Sequence, residues 1–157
     1  MEKEYKFSVR LIESNDKKLI LNWRNNSETR ASSFNQNLIS EEEHESWFSS
    51  LGTSQLQGFM GIMDVKKEVC VVTFKSISSI QSEISINMNP AYRGLGFSKE
   101  FLNLAIKQYR KSSTVEIVAR IKKSNVKSQV IFRDLGFQIT NSESSGEIKM
   151  IFGTSSK

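Results

Sequence analysis

Several residue types are scarce in this sequence of 157 residues. Cysteine, proline and histidine each occur once, and no apolar run approaches the ~20 residues needed to cross a bilayer. A lone cysteine excludes an internal disulfide and a cysteine metal cluster, so we expect no metal and place Cys70, within "EVCVVTF", in a buried strand. The start "MEKEYKFSVR" has no apolar signal segment, which predicts a cytoplasmic protein that does not enter a membrane.

The charge of the chain is moderately basic. Lysine and arginine number 22 against 17 acidic residues, a formal net charge of +5. The basic residues are scattered without a long run, which argues against nucleic acid as a partner. A small polyanion, such as a nucleotide cofactor, is the partner that this charge favours.

The hydrophobic pattern predicts one α/β domain over residues 1–157. Alternating segments such as "SEISINMN" and "TVEIVARI" indicate strands, and "NVKSQVIFRDLGF" has the apolar spacing of a helix. The predicted order is strand, two helices, several strands, helix, strand, helix and strands, which gives a mixed central sheet with helices on both faces. Residues 140–146 are predicted as a loop and 153–157 as a tail. The oligomeric state is left open, a homodimer included.

The clearest predicted helix spans Ser40 to Gly52. Ser40 and Glu43 have the spacing of a capping box, and acidic residues occupy the first turn. Its inner face would carry four residues: His44, Trp47, Phe48 and Leu51. A second helix, preceded by Asp16 as a cap, is predicted from Lys17 to Asn25.

The loop from Arg93 to Ser98, "RGLGFS", lies between a predicted strand and a predicted helix. Backbone N–H groups at a helix start, with glycines that tighten the turn, can hold a phosphate group. Glycines also end strands for purely local reasons, so the pattern alone leaves an ordinary loop equally open.

Three segments together, "SEISINMNP", "YRGLGFS" and "NVKSQVIFRDLGF", resemble the GNAT superfamily of acetyl-CoA-dependent N-acetyltransferases. Arg93, Gly96 and Ser98 occupy the defined positions of that family's loop, although Ser98 replaces a small apolar residue. The resemblance implies acetyl-CoA as co-substrate. It also implies that the cofactor contacts Met88, Arg93, Gly94, Leu95, Gly96, Phe97, Ser98 and Asn125, with the loop amides on the pyrophosphate and the backbone near Met88 on the pantetheine arm.

One departure from the family concerns the proton of the leaving thiolate. Many members carry a tyrosine that protonates the CoA thiolate at the position of Phe132. The sequence therefore permits either another proton source, solvent included, or a relative that binds acyl-CoA without catalysis.

Two side chains are candidates for the base that removes the amine proton. Glu83 lies on the polar face of the strand that leads to the glycine loop, and a solvated strand glutamate is the alternative. His44 has a pKa near neutrality when unperturbed, and a half-buried histidine beside Trp47 is its alternative.

The stretch "LNWRNNSETRASSFNQNLISEEEHESWF" resembles the N-terminal part of the nucleotide-sugar 4-amino N-acetyltransferases of pseudaminic acid biosynthesis. The resemblance implies that Arg24 and His44 bind the acceptor diphosphate and that Trp47, with Phe34 on the same wall, forms the sugar pocket. We therefore predict an N-acetyltransferase for the amine of a nucleotide-linked aminodeoxy sugar, with a protein or peptide N-acetyltransferase as the alternative.

Overall fold

The structure is a computed structural model that describes residues 4–144 and 146–153, so the tail predicted beyond Gly153 lies outside the described residues. Seven strands and five α-helices are described: β1 (Phe7–Leu11), α1 (Lys17–Arg24), α2 (Ser27–Ser32), α3 (Glu41–Ser50), β2 (Leu56–Met63), β3 (Lys67–Ser76), β4 (Gln81–Met88), α4 (Ser98–Arg110), β5 (Glu116–Lys122), α5 (Val126–Asp134), β6 (Phe137–Ser144) and β7 (Glu147–Phe152). No helix in the described part of the chain has both the length and the apolarity that a membrane crossing requires.

The strands form one mixed sheet in the order β1-β2-β3-β4-β5-β7-β6. All neighbours are antiparallel except β4 and β5, which are parallel. The pairing of β4 with β5 ends at Glu83 and Val118, and beyond this point the two strands diverge. The predicted α/β architecture, a mixed sheet with helices on both faces, is confirmed.

The two faces of the sheet are covered by different helices. Helices α4 and α5 pack on the larger core, which includes Phe101 of α4 and Ile84 of β4. Helices α1 and α3 cover the opposite face through a smaller cluster around Trp23 and Met60. Because side chains alternate along a strand, Glu83, Ser85 and Asn87 face the side of α1 and α3.

Local differences from the prediction have physical reasons. The Asp16 carboxylate does not cap α1, because it accepts hydrogen bonds from Arg10 and from the Glu13 N–H. Helix α2 was not predicted; it has six residues, and the Asn26 side chain caps it. The prediction of a loop over 140–146 is wrong, because β6 continues to Ser144 and pairs there with β7. Backbone hydrogen bonds form this antiparallel pairing, so it does not depend on apolar side chains.

Candidate functional site

A cleft of about 680 Å³ opens where β4 and β5 diverge. Beyond Glu83, the β4 edge no longer pairs with β5, so backbone groups of the following residues face the cleft. The walls come from β4, β5, the loop before α4, the start of α5 and α2. A parallel pair that separates in this way offers an extended ligand a strand edge to pair with.

The glycine loop forms one end of the cleft. Gly94 and Gly96 have φ angles of 74° and 81°, in the left-handed region that favours glycine. A Cβ at either position would meet no other atom within 4 Å. These glycines are therefore required by the backbone conformation and not by a lack of space for a side chain. Helix α4 starts at Ser98 without a side-chain cap, which leaves its first N–H groups for an anion.

Helix α2 spans the opening between the two diverging strands. The Lys122 ammonium donates to the Ala31 carbonyl at 3.0 Å, and the Arg93 guanidinium donates through Nη2 to the Thr29 hydroxyl. The Arg93 Nε is buried and has no hydrogen-bond partner among the described residues. The guanidinium therefore retains donor capacity beside the glycine loop.

The structure brings most of the predicted cofactor contacts into the cleft. Its lining includes Met88, Arg93, Gly94, Gly96, Phe97, Ser98 and Asn125. Leu95 is not in the lining, and its residue surface is 57% exposed. The Asn125 side chain accepts a hydrogen bond from the Ser128 N–H at 3.2 Å, so it caps α5 at the edge of the cleft.

A second pocket of about 130 Å³ lies on the other side of β4. Its lining consists of Ile20, Arg24, Trp47, Val71, Thr73, Ser85 and Asn87. Ser85 and Asn87 also line the cleft, so the two cavities meet across β4. Arg24 is the one charged residue among the described residues that line this pocket.

His44 holds Arg24 in place from behind the pocket. Its Nε2 lies 2.7 Å from the Lys17 carbonyl oxygen, which can only accept, so Nε2 carries the proton. The Nδ1 lone pair then accepts from the Arg24 Nη1 at 3.3 Å. Trp47 stacks on the imidazole at 5.4 Å, and the Arg24 Cζ lies 4.9 Å from the centre of the Trp47 ring.

This geometry corrects the predicted direct contact of His44 with a substrate. His44 is only 2% exposed, both ring nitrogens have partners, and it is absent from the described lining of either cavity. A ring nitrogen that already forms a hydrogen bond cannot take a proton from an amine unless that hydrogen bond breaks. The structure supports a positioning role for His44.

Burial shifts the pKa values of both residues. Desolvation lowers the pKa of the His44 imidazole from 6.5, and the charges of Arg24 and Lys17 add to this, although the bond to the Lys17 carbonyl opposes it. His44 is therefore neutral at pH 7. Burial also lowers the pKa of the Arg24 guanidinium, with the Glu43 carboxylate opposing, but a group of this kind stays charged.

Glu83 and Phe34 lie together at the base of the cleft, away from Arg24 and Trp47. The Arg120 Nε is 3.3 Å from a Glu83 carboxylate oxygen, and the Arg120 Cζ is 5.1 Å from the centre of the Phe34 ring. Both residues line the cleft and neither lines the second pocket. The prediction that Phe34 shares a wall with Trp47 is therefore wrong, because the segment after α2 turns toward β5.

Phe132 also lines the cleft, on the α5 side. Its ring is 5% exposed and packs edge-on against Phe137 at 5.0 Å. A phenyl ring has no proton to give, so the position supplies an apolar wall only.

The sequence comparison assigns the family. The family described as acetyltransferase (GNAT) domain matches residues 6–138. The chain belongs to the GNAT acetyltransferases. Members of this family transfer the acetyl group of acetyl-CoA to an amine, so the chain is an acetyl-CoA-dependent N-acetyltransferase. A search of curated protein sequences gave no match.

Solved structures share the fold at low identity. A domain from Methanocaldococcus jannaschii aligns with a TM-score of 0.81 at 22% identity, over 94% of this chain and 98% of that one. A spermidine N-acetyltransferase from Vibrio cholerae, solved with CoA and spermine, aligns with a TM-score of 0.80 at 18% identity, over 92% of this chain and 93% of that one. An aminoglycoside acetyltransferase solved with coenzyme A aligns with a TM-score of 0.77 at 12% identity, over 93% of this chain and 94% of that one.

The residues of the GNAT domain present here fit acetyl-CoA. The β4 edge offers backbone donors and acceptors, the glycine loop offers free N–H groups, and Arg93 Nε is a buried donor without a partner among the described residues. Among these residues, no group of three or more histidine, cysteine or acidic side chains could hold a metal ion. Burial raises the pKa of the Cys70 thiol far above its usual range.

Sequence reasoning missed several residues that line or bridge the cavities. Thr29, Asn87, Arg120 and Lys122 are all polar residues on elements that cross the cleft or border it. Strand alternation placed Asn87 on the polar face, but nothing in the sequence shows what lies across from it. The Asn26 cap is the signal that could have located α2 and hence Thr29.

Proposed function

We propose that this N-acetyltransferase acetylates the amine of a nucleotide-linked aminodeoxy sugar, by direct attack of the amine in a ternary complex. The observation that carries the proposal is Arg24. Its guanidinium lines the second pocket and forms no ion pair with any carboxylate of the described residues. A half-buried cation without an ion-pair partner favours an anionic ligand, and a nucleotide sugar carries two phosphates.

The composition of the second pocket also supports an anionic acceptor. No acidic side chain is found among its described lining residues, whereas a polycation such as spermidine needs carboxylates around it. The Trp47 ring, beside Ile20 and Val71, offers an apolar surface for a deoxy sugar. The spermidine and aminoglycoside enzymes share the fold with this chain, and their acceptors are not carried over to it.

We assign the two cavities to the two substrates. In the larger cleft, the amides of Gly94 to Ser98 and the Arg93 guanidinium bind the pyrophosphate of acetyl-CoA, and the β4 backbone near Met88 pairs with the pantetheine arm. Asn125 lies at the edge of this path. Arg24, positioned by His44, binds the acceptor diphosphate. A cytoplasmic location, where both nucleotides occur, belongs to the same proposal.

The reaction needs a base and a source of one proton. Bound acetyl-CoA supplies a thioester; the amine nitrogen bonds to its carbonyl carbon, the C–S bond breaks, and the amine loses one proton. Glu83 is our candidate base, because its carboxylate lines the cleft where β4 and β5 separate and Arg120 holds it there. Phe132 cannot protonate the thiolate, so that proton comes from solvent or from another group.

The experiment is a thiol-release assay with purified protein, acetyl-CoA and a UDP-linked 4-amino-4,6-dideoxy sugar. Spermidine, an aminoglycoside and a peptide with a free N-terminus serve as competing acceptors at equal concentration. We expect the nucleotide sugar to give the highest kcat/KM. Thiol release that matches the enzyme-free rate with the sugar, while another amine is consumed, would overturn the proposal in favour of that amine class.

A further inference from the structure

The side chain of Asn87 has unsatisfied hydrogen-bonding groups at the point where the two cavities meet. Both Nδ2 and Oδ1 are inaccessible to solvent and have no hydrogen-bond partner among the described residues. Asn87 also lines both the cleft and the second pocket. Its neighbour on the same strand face, Ser85, differs in that its hydroxyl lies 2.7 Å from the Thr73 hydroxyl.

An unpartnered carboxamide is unfavourable for the folded chain. A buried donor or acceptor without a partner loses its hydrogen bonds to water and gains nothing in exchange. Most buried polar groups in proteins therefore have partners, and an exception calls for an explanation. The position of Asn87 between the two cavities suggests that a bound molecule supplies the missing partner.

The geometry points to Asn87 as an acceptor-positioning residue, whose Oδ1 accepts a hydrogen bond from the amine that is to be acetylated. A neutral primary amine has two N–H groups and one lone pair. When Oδ1 holds one N–H on the second-pocket side of β4, the lone pair is free to point across the strand into the cleft. Orientation of this kind contributes to rate without any covalent role for the asparagine.

The carboxamide suits this position better than a charged group. Arg24 lines the same pocket, and a carboxylate beside it would form an ion pair that competes with an anionic acceptor. A neutral amide accepts from the amine through Oδ1 and still donates through Nδ2 to an oxygen of the acceptor. The role of Oδ1 applies to any amine that the protein acetylates. The role of Nδ2 rests on the proposed function, because it needs an oxygen of the sugar acceptor.

The test compares Asn87→Leu with Gln81→Leu. Gln81 is a carboxamide on the same strand, but its side chain donates to Glu116 and lies outside both cavities. We expect Asn87→Leu to lower kcat/KM for the acceptor at least tenfold, to leave the KM for acetyl-CoA within twofold, and to keep or raise Tm, because an unsatisfied polar group is removed. Gln81→Leu should keep kcat/KM and lower Tm.

The acceptor in this test is the amine that the wild-type protein acetylates fastest among the nucleotide sugar, spermidine, the aminoglycoside and the peptide. Failure of the nucleotide sugar alone therefore overturns the proposed function and leaves the role of Asn87 open to measurement. Unchanged kcat/KM in Asn87→Leu, or a lowered Tm with equal loss for both substrates, would overturn the positioning role. Asn87→Ser, which keeps one small hydrogen-bonding group, should recover part of the lost kcat/KM.

Discussion

The two cavities on either side of β4 differ in how the chain builds them. The cleft takes its glycine-loop end from one continuous stretch, Arg93 to Ser98, while the second pocket combines Arg24, Trp47 and Asn87 from three distant elements. A cofactor common to a whole family can be bound by a local motif, largely through backbone N–H groups. An acceptor requires side chains whose combination is specific to the protein.

The largest expected effect lies in the cleft, at the point where β4 and β5 separate. Glu83→Gln removes the candidate base and keeps the shape, so we expect kcat to fall by about 100-fold, since general acid–base catalysis contributes roughly 10²–10⁴-fold. Steady-state kinetics with both substrates would measure it. Glu116→Gln, on β5 and outside both cavities, is the matched control. A kcat within twofold of wild type would exclude Glu83 as the base.

The substitution Arg24→Ala in the second pocket should weaken the binding of the acceptor and leave the binding of acetyl-CoA unchanged. A hydrogen bond to a charged group contributes about 1.5–3 kcal/mol, so the KM for a nucleotide sugar should rise by roughly 10- to 100-fold. The KM for acetyl-CoA should stay the same. Arg133→Ala, at an exposed position on α5, is the control. Equal increases for both substrates would remove the distinction between the cavities.

The substitution Gly96→Val in the glycine loop should weaken the binding of the cofactor and leave the binding of the acceptor unchanged. A valine at φ 81° is strained by about 1–3 kcal/mol, and relief of the strain moves the loop amides. We expect CoA binding, measured by calorimetry, to weaken by about tenfold. Gly52→Val introduces the same strain at φ 84° outside the cleft lining, so it should lower stability and leave CoA affinity unchanged. Similar CoA affinity in the two variants would contradict the phosphate-binding role.

The smallest effect concerns His44 and pH. Its pKa is lowered on folding, so the unfolded chain binds a proton as pH falls below 6.5 while the folded chain does not. Stability should therefore decrease as pH is lowered from 7 through 6.5 toward the folded pKa. No other histidine is present in the sequence.

His44→Gln checks this linkage by denaturant titration between pH 7 and 5. The variant should show a flatter dependence of the unfolding free energy on pH than the wild-type protein. The KM for the acceptor should also rise moderately, because Arg24 loses the ring that positions it. The same pH slope in both proteins would contradict the buried neutral state of His44.

The sequence predicted the cleft better than the second pocket for physical reasons. Strand alternation, the Ser40 cap and the glycine loop are local signals, so the mixed sheet, α3 and the start of α4 follow from them. The arrangement of Arg24, His44 and Trp47 depends on how α1 packs against α3, which periodicity does not encode. The resemblance to nucleotide-sugar N-acetyltransferases implied a substrate contact for His44, but in the structure its Nε2 donates to the Lys17 carbonyl and its Nδ1 accepts from Arg24.

Mass spectrometry of the products tests the central claim most directly. The protein is incubated with acetyl-CoA and a mixture of amino-sugar nucleotides, spermidine, an aminoglycoside and a peptide. We predict one added acetyl group on the amine of a nucleotide sugar, and a slower accumulation of this product with Arg24→Ala. Acetylation of only the spermidine, the aminoglycoside or the peptide would contradict the account.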